Sequence, residues 1–93
     1  MNNKYFDWDQ EKNEWLFDET RGVSFEMVVT AIEEGCLMDI LQHAKPREHQ
    51  KLYIVLIEEY VYVVPYVEDD EKIFLKTIFP SRKMHKKYYE KDS

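Results

Sequence analysis

The 93-residue sequence contains one cysteine, two glycines and three prolines. The lone Cys36 excludes an intramolecular disulfide framework and a multi-cysteine zinc site. A single thiol of this kind fits a reduced, cytoplasmic setting. Long apolar runs are also missing. The longest, Leu52 to Ile57 and Tyr60 to Val67, fall well short of the ~20 residues a bilayer-crossing helix needs, so no membrane association is expected. Residues 1–10 lack the apolar core of a signal peptide. With only Gly22 and Gly35, both at predicted helix ends, no glycine loop remains to cradle a phosphate. Repeats, linkers and low-complexity segments are absent as well.

Positive charge is scarce in total: 13 Lys and Arg stand against 19 Asp and Glu, a net of −6. That total argues against a nucleic-acid binder, but its distribution does not. Residues 1–75 carry seven basic and seventeen acidic side chains, a net of −10, and residues 76–93 carry six and two, a net of +4. The last fifth of the chain is a cationic patch on an acidic body. On charge alone it reads first as a solvated C-terminal helix that carries lysines, and second as the electrostatic footprint of phosphate-backbone contact. What is abundant is apolar: 44% hydrophobic and 15% aromatic residues. That composition is incompatible with disorder and is enough for one domain spanning residues 1–93.

The element order follows from caps and periodicity. Tyr5, Phe6 and Trp8 read as an opening strand. Asp9 caps a first helix, with Trp8, Trp15 and Leu16 expected on one face, and Gly22 ends it. Ser24 caps a second helix in which Phe25, Val28, Val29 and Ile32 fall at i, i+3, i+4 and i+7, and Gly35 stops it. Cys36 to Leu41 reads as a strand, and His43 to Gln50 as a polar loop with Pro46. Three β-rich runs follow, Leu52–Ile57, Tyr60–Val67 and Ile73–Phe79, joined by short polar connections that predict antiparallel hairpins. Leu52–Ile57 has no strongly polar position, which predicts cover on both faces. Pro65 marks an edge, an end or a bulge. Ser81 caps a short last helix. The order β-α-α-β-β-β-β-α predicts an α+β domain. Its antiparallel sheet has four to five strands, two N-terminal helices on one face and a short C-terminal helix.

In Tyr60–Val67 the period of two puts Tyr60, Tyr62, Val64 and Tyr66 on one face and Val61, Val63, Pro65 and Val67 on the other. The aliphatic set is expected to form the helix-covered core. The tyrosine set is expected either to be half exposed, as a platform for bases or for a partner, or to pack under the last helix with its hydroxyls reaching water.

The inventory of chemistry is short. His43, His49 and His85 lack metal-ligand spacing, so neither a metal nor another cofactor is expected. Ser24 and Ser81 are helix caps. Cationic side chains on a sheet remain. Metal-independent RNA cleavage uses the 2′-hydroxyl as nucleophile, and the site must move two protons and stabilise the phosphorane charge. Lys51, at a strand start, Lys76, inside the last strand, and Arg82, at the start of the last helix, are the catalytic candidates. Arg82, Lys83, Lys86, Lys87 and Tyr66 are the candidates for binding RNA.

Three segments carry a family resemblance. Phe6-Asp7-Trp8-Asp9 with Lys12 resembles the opening block of BrnT-type toxins. Arg21-Gly22-Val23-Ser24-Phe25-Glu26 is similar to their segment between the first two helices. Thr77-Ile78-Phe79-Pro80-Ser81-Arg82-Lys83 is similar to their strand running into the last helix. Residues 36–75 match in pattern only. The chain has Leu16, Arg21 and Thr77 where the family has Asn, His and Arg, while Arg82 is retained and Lys51 is a conservative replacement. The resemblance implies a RelE-like fold and the toxin role in a type II toxin–antitoxin system. The activity implied is an endoribonuclease that cleaves mRNA and inhibits translation. It also implies an RNA substrate and neutralisation by a BrnA-like antitoxin in a hetero-oligomer. Apart from the resemblance, a small scaffold whose aromatic face closes a homodimer is a further reading of the residues. The alternative is a non-catalytic interaction protein of the same fold, a toxin relic or an RNA- or partner-binding module.

Overall fold

A computed structural model describes residues 4–20, 22–47 and 49–90; Arg21, part of the second resembling segment, lies outside the described residues. The elements are β1 (Tyr5–Asp7), α1 (Gln10–Glu19), α2 (Phe25–Glu33), β2 (Leu37–Gln42), β3 (Lys51–Ile57), β4 (Tyr60–Glu68), β5 (Lys72–Leu75), β6 (Phe79–Pro80) and α3 (Arg82–Tyr88). All three predicted caps form. Asp9 Oδ1 accepts the Glu11 and Lys12 backbone N–H groups at 2.9 and 3.3 Å. Ser24 Oγ accepts that of Met27 at 3.3 Å, and Ser81 Oγ that of Met84 at 3.2 Å. Gly22 adopts φ +101° and donates its N–H to Phe17 O at 2.7 Å, a left-handed closure that a side chain would resist.

The sheet order is β1-β5-β4-β3-β2, with β6 pairing β4 beyond the end of β5. β1 runs parallel to β5 and the other pairs are antiparallel. The sheet is therefore mixed and six-stranded rather than purely antiparallel with four to five strands. The sixth strand arises because the predicted Ile73–Phe79 run is interrupted. Pro65 O accepts the Lys76 N–H at 2.8 Å. Within a strand a residue's N–H and C=O point the same way, so the N–H that proline lacks is missing on this side. The ladder stops at Leu75 and resumes at Phe79. Lys76 consequently sits in the gap rather than inside a strand.

Both sheet faces are covered. On one, Tyr53, Val55 and Ile57 of β3 and Val64 and Tyr66 of β4 share a core with Leu16 of α1 and Phe25, Val28 and Ala31 of α2. On the other, Ile54, Val61 and Val63 pack with Met84 and Tyr88 of α3 and with Met38, Leu41, Leu52 and Leu56. The aliphatic face of β4 is helix-covered as expected, by α3, but most of the tyrosine face is covered as well rather than half exposed. Tyr62, Val64 and Tyr66 lie on the larger core with α1 and α2, Tyr60 stacks on His85 of α3, and the aliphatic residues Val61 and Val63 meet α3. Ring size accounts for this: Tyr53 and Tyr66, stacked at 4.0 Å and 11°, fill space that valines would leave empty, while valines suit the close approach of a seven-residue helix. Trp15 is also misplaced by the sequence reading. Leu16 is buried at 2% exposure and Trp15 is 56% exposed, because adjacent helical residues point about 100° apart.

Candidate nucleic-acid interface

The gap left by Pro65 is where three segments meet: the first turn of α1, the 43–50 loop and the crossing from β5 to β6. Lys12, His43, Arg47, Gln50, Lys76 and Thr77 line an open cleft of about 530 Å³ there, over Pro65 and Phe79. Three of these residues are cations, and among the described residues none that lines the cleft is acidic. Lys12 is positioned by the Asp9 cap, its Nζ 5.9 Å from the Trp15 ring centre. Lys76 is positioned by its backbone bond to Pro65, with Nζ 5.9 Å from the Phe74 ring centre. The loop is pinned by its own backbone: His43 N donates to Gln50 O at 3.0 Å, Arg47 N to Ala44 O at 3.0 Å and Gln50 N to Arg47 O at 2.9 Å. His43 Nδ1 lies 3.3 Å from Ala44 O, so the tautomer with its proton on Nδ1 leaves Nε2 as an acceptor. Phe79 is 44% exposed beside these cations, the pairing of ring and charge that single-stranded RNA uses.

Comparison with protein-family models, curated proteins and solved structures finds no match to this chain.

The three catalytic candidates do not converge. Lys76 is in the cleft. Lys51 is next to the loop in sequence, but its Nζ lies 3.6 Å from Glu68, which also takes a 2.6 Å bond from Lys4. Those two ammonium groups hold the Glu68 carboxyl below its usual range, with the Lys4 hydrogen bond the larger cause. Arg82 lines a separate, smaller pocket with Tyr60, His85, Lys86 and Glu90. Tyr60 pairs with Ile57, whereas Lys51 pairs with Tyr66. Lys51 and the Arg82 pocket are therefore at opposite ends of the β3–β4 hairpin, about 20 Å apart along the strand. As placed, Lys76, Lys51 and Arg82 do not gather around one phosphate.

The RNA-binding candidates divide similarly. Lys83, Lys86 and Lys87 are exposed on α3, and Lys87 Nζ lies 5.3 Å from the Tyr88 ring. Tyr66 is 3% exposed, and burial pushes its hydroxyl well above the ordinary phenol range, so its ring offers no platform for a base.

His85 invites attention because its Nε2 is 3.3 Å from the Glu90 carboxylate and its ring stacks on Tyr60 at 4.1 Å and 14°. Its Nδ1 is buried. A general base needs one ring nitrogen facing substrate while the other is oriented by the carboxylate, and here the second nitrogen faces the interior. The arrangement anchors α3 against β4. Among the described residues no three His, Cys, Asp or Glu side chains gather as a metal site requires, and no helix is long and apolar enough to cross a membrane.

The residues that sequence reasoning missed are His43 and Arg47. Both lie in a segment without periodicity, where a polar loop is all that can be read. Lys12 stood in the opening block, and only its proximity to Lys76 was hidden.

Proposed function

We propose that this protein acts on single-stranded RNA through the Lys12–Arg47–Lys76 cleft, as the toxin of a type II toxin–antitoxin pair with a RelE-like fold. The observation that carries this reading is a convergence: the opening and closing segments that resemble BrnT-type toxins contribute Lys12 and Thr77 to one cleft with Lys76 and Arg47. Cleavage there would follow the metal-independent route. The 2′-hydroxyl oxygen attacks phosphorus, its proton passes to a base, and the 5′-oxygen leaves with a proton, giving a cyclic phosphate and a 5′-hydroxyl end. Arg47, Lys12 and Lys76 supply positive charge for the phosphorane. His43 is the cleft residue whose ring nitrogens can relay a proton, with Nδ1 at 3.3 Å from Ala44 O and Nε2 left for the substrate. A BrnA-like antitoxin is the partner this reading entails.

A second reading, a non-catalytic RNA-binding protein of the same fold, is favoured by the dispersal of Lys51, Lys76 and Arg82. One experiment separates the two. Induced expression and purified protein are tested in parallel for growth arrest and for cleavage of end-labelled single-stranded RNA, with Arg47→Ala and His43→Ala as controls. Arrest and cleavage abolished by both substitutions support the toxin. RNA binding without cleavage supports the second reading, and neither binding nor cleavage removes the cleft as an RNA site.

A further inference from the structure

A second concavity, of about 400 Å³, lies between α2 and the turn joining β3 to β4. Met27, Ala31, Cys36, Leu56 and Ile57 form its apolar surface. Its lips are acidic, with Glu26 and Glu34 on the α2 side and Glu58 opposite, and among the described residues no lysine or arginine lines it. Glu26, Thr30 and Glu34 recur every four residues, so they form one stripe about 12 Å long at 1.5 Å per residue. The Glu26 carboxylate is held by a 2.7 Å bond from Asn13 Nδ2. Glu58 projects from a two-residue turn with φ +51°. An apolar floor between anionic lips fits one chemistry: apolar side chains flanked by cations.

We propose that this groove docks a cationic amphipathic helix of a partner protein, with apolar side chains at i and i+4 on Met27, Ala31 and Leu56 and flanking Lys or Arg residues against Glu26, Glu34 and Glu58. The 12 Å stripe matches two turns of such a helix, the helix-in-groove mode of recognition. A second copy of this chain does not meet the requirement. Its one basic helix, α3, already packs Met84 and Tyr88 against its own sheet and has no apolar stripe left to offer. The groove shares no residue with the cationic cleft, so the inference stands whatever the cleft does with RNA.

The probe is a synthetic 18-residue helical peptide with leucines at i and i+4 flanked by lysines, together with a twin carrying glutamate at each lysine position. Each is titrated into isotope-labelled full-length protein. The lysine peptide is expected to shift the amides of Glu26–Glu34, Cys36 and Leu56–Glu58. It is also expected to slow the reaction of the single thiol, Cys36, with a bulky disulfide reagent. Glu34→Lys with Glu58→Lys, both exposed sites, should weaken binding about tenfold or more through like-charge contact, with amide spectra checking the fold. The proposal is overturned if the glutamate twin binds equally well, if the shifts fall around Lys12 and Lys76 instead, or if the reversed-charge variant binds undiminished. A concentration-dependent dimer of the protein alone that this variant dissolves would also overturn it, by giving the groove to a second copy.

Discussion

Asn13 Oδ1 accepts the backbone N–H of Phe25 at 2.7 Å while Asn13 Nδ2 donates to Glu26 at 2.7 Å. Phe25 opens α2, where an N–H has no partner within its own helix. A buried side chain from α1, 4% exposed, supplies that partner and fixes the angle between the two helices over the shared core. Asn13→Ala leaves the buried N–H unpaired and is expected to cost about 1–3 kcal/mol. A urea titration should show a lower midpoint at unchanged m-value. An unchanged midpoint would mean that the helix pair is held by apolar packing alone.

The turn between β3 and β4 places Glu58 at φ +51° and Glu59 at φ +69°, the requirement of a type I′ hairpin for which Asn-Gly is the usual solution. A side chain in the left-handed region costs about 1–2 kcal/mol. Glu58→Asn with Glu59→Gly should therefore stabilise the protein by about 1–2 kcal/mol, and a melting curve should rise by about 4–8 °C per kcal/mol for a domain of this size. The same variant removes an acidic lip of the groove beside α2. Greater stability with weaker docking of the cationic peptide would show that the strained turn is kept for its carboxylates.

Acid should weaken the fold through Glu68. Its carboxyl is held below the ordinary value of 4.5 first by the Lys4 hydrogen bond and then by the charges of Lys4 and Lys51. A folded-state value below the unfolded one means that the unfolded chain takes up protons first as pH drops. The contribution is fully present above 4.5 and is lost as pH falls through the folded value. Urea midpoints measured against pH should fall less steeply below 4.5 for Glu68→Gln than for the parent protein. Parallel curves would show that the Lys4–Glu68–Lys51 cluster is not linked to folding.

Local signals were legible in the sequence and distant meetings were not. Asp9, Ser24 and Ser81 sit where helix-capping chemistry puts them, and Gly22 and Gly35 close helices as their scarcity suggests. Pro65 announced a fault in the ladder, but a lost N–H does not reveal which neighbouring strand it interrupts. The two faces of β4 were separable by period, yet which face meets α1 and α2 depends on the direction in which the chain crosses the sheet. That direction also decides that Lys76 meets Lys12 and Arg47 rather than Lys51 and Arg82. Charge counting located a cationic end of the chain, and the cleft instead gathers cations from three separate segments.

That gathering makes the cleft testable by salt. Each lysine or arginine neutralising an RNA phosphate contributes about 0.7 to the slope of log affinity against log salt on a single strand. Lys12→Ala, Arg47→Ala and Lys76→Ala should each weaken binding of a short labelled RNA similarly for all base sequences, and each should lower the slope by roughly that amount. Lys51→Ala should leave the slope unchanged, because its ammonium group is turned to Glu68 at 3.6 Å. Arg82→Ala reports the reach of the RNA: an unchanged slope confines the strand to the cleft, and a reduced one extends it past Phe79 to α3. Fluorescence anisotropy at several salt concentrations measures all five variants. Equal slopes for Lys12→Ala, Arg47→Ala and the parent protein would remove the cleft as the place where phosphate is bound.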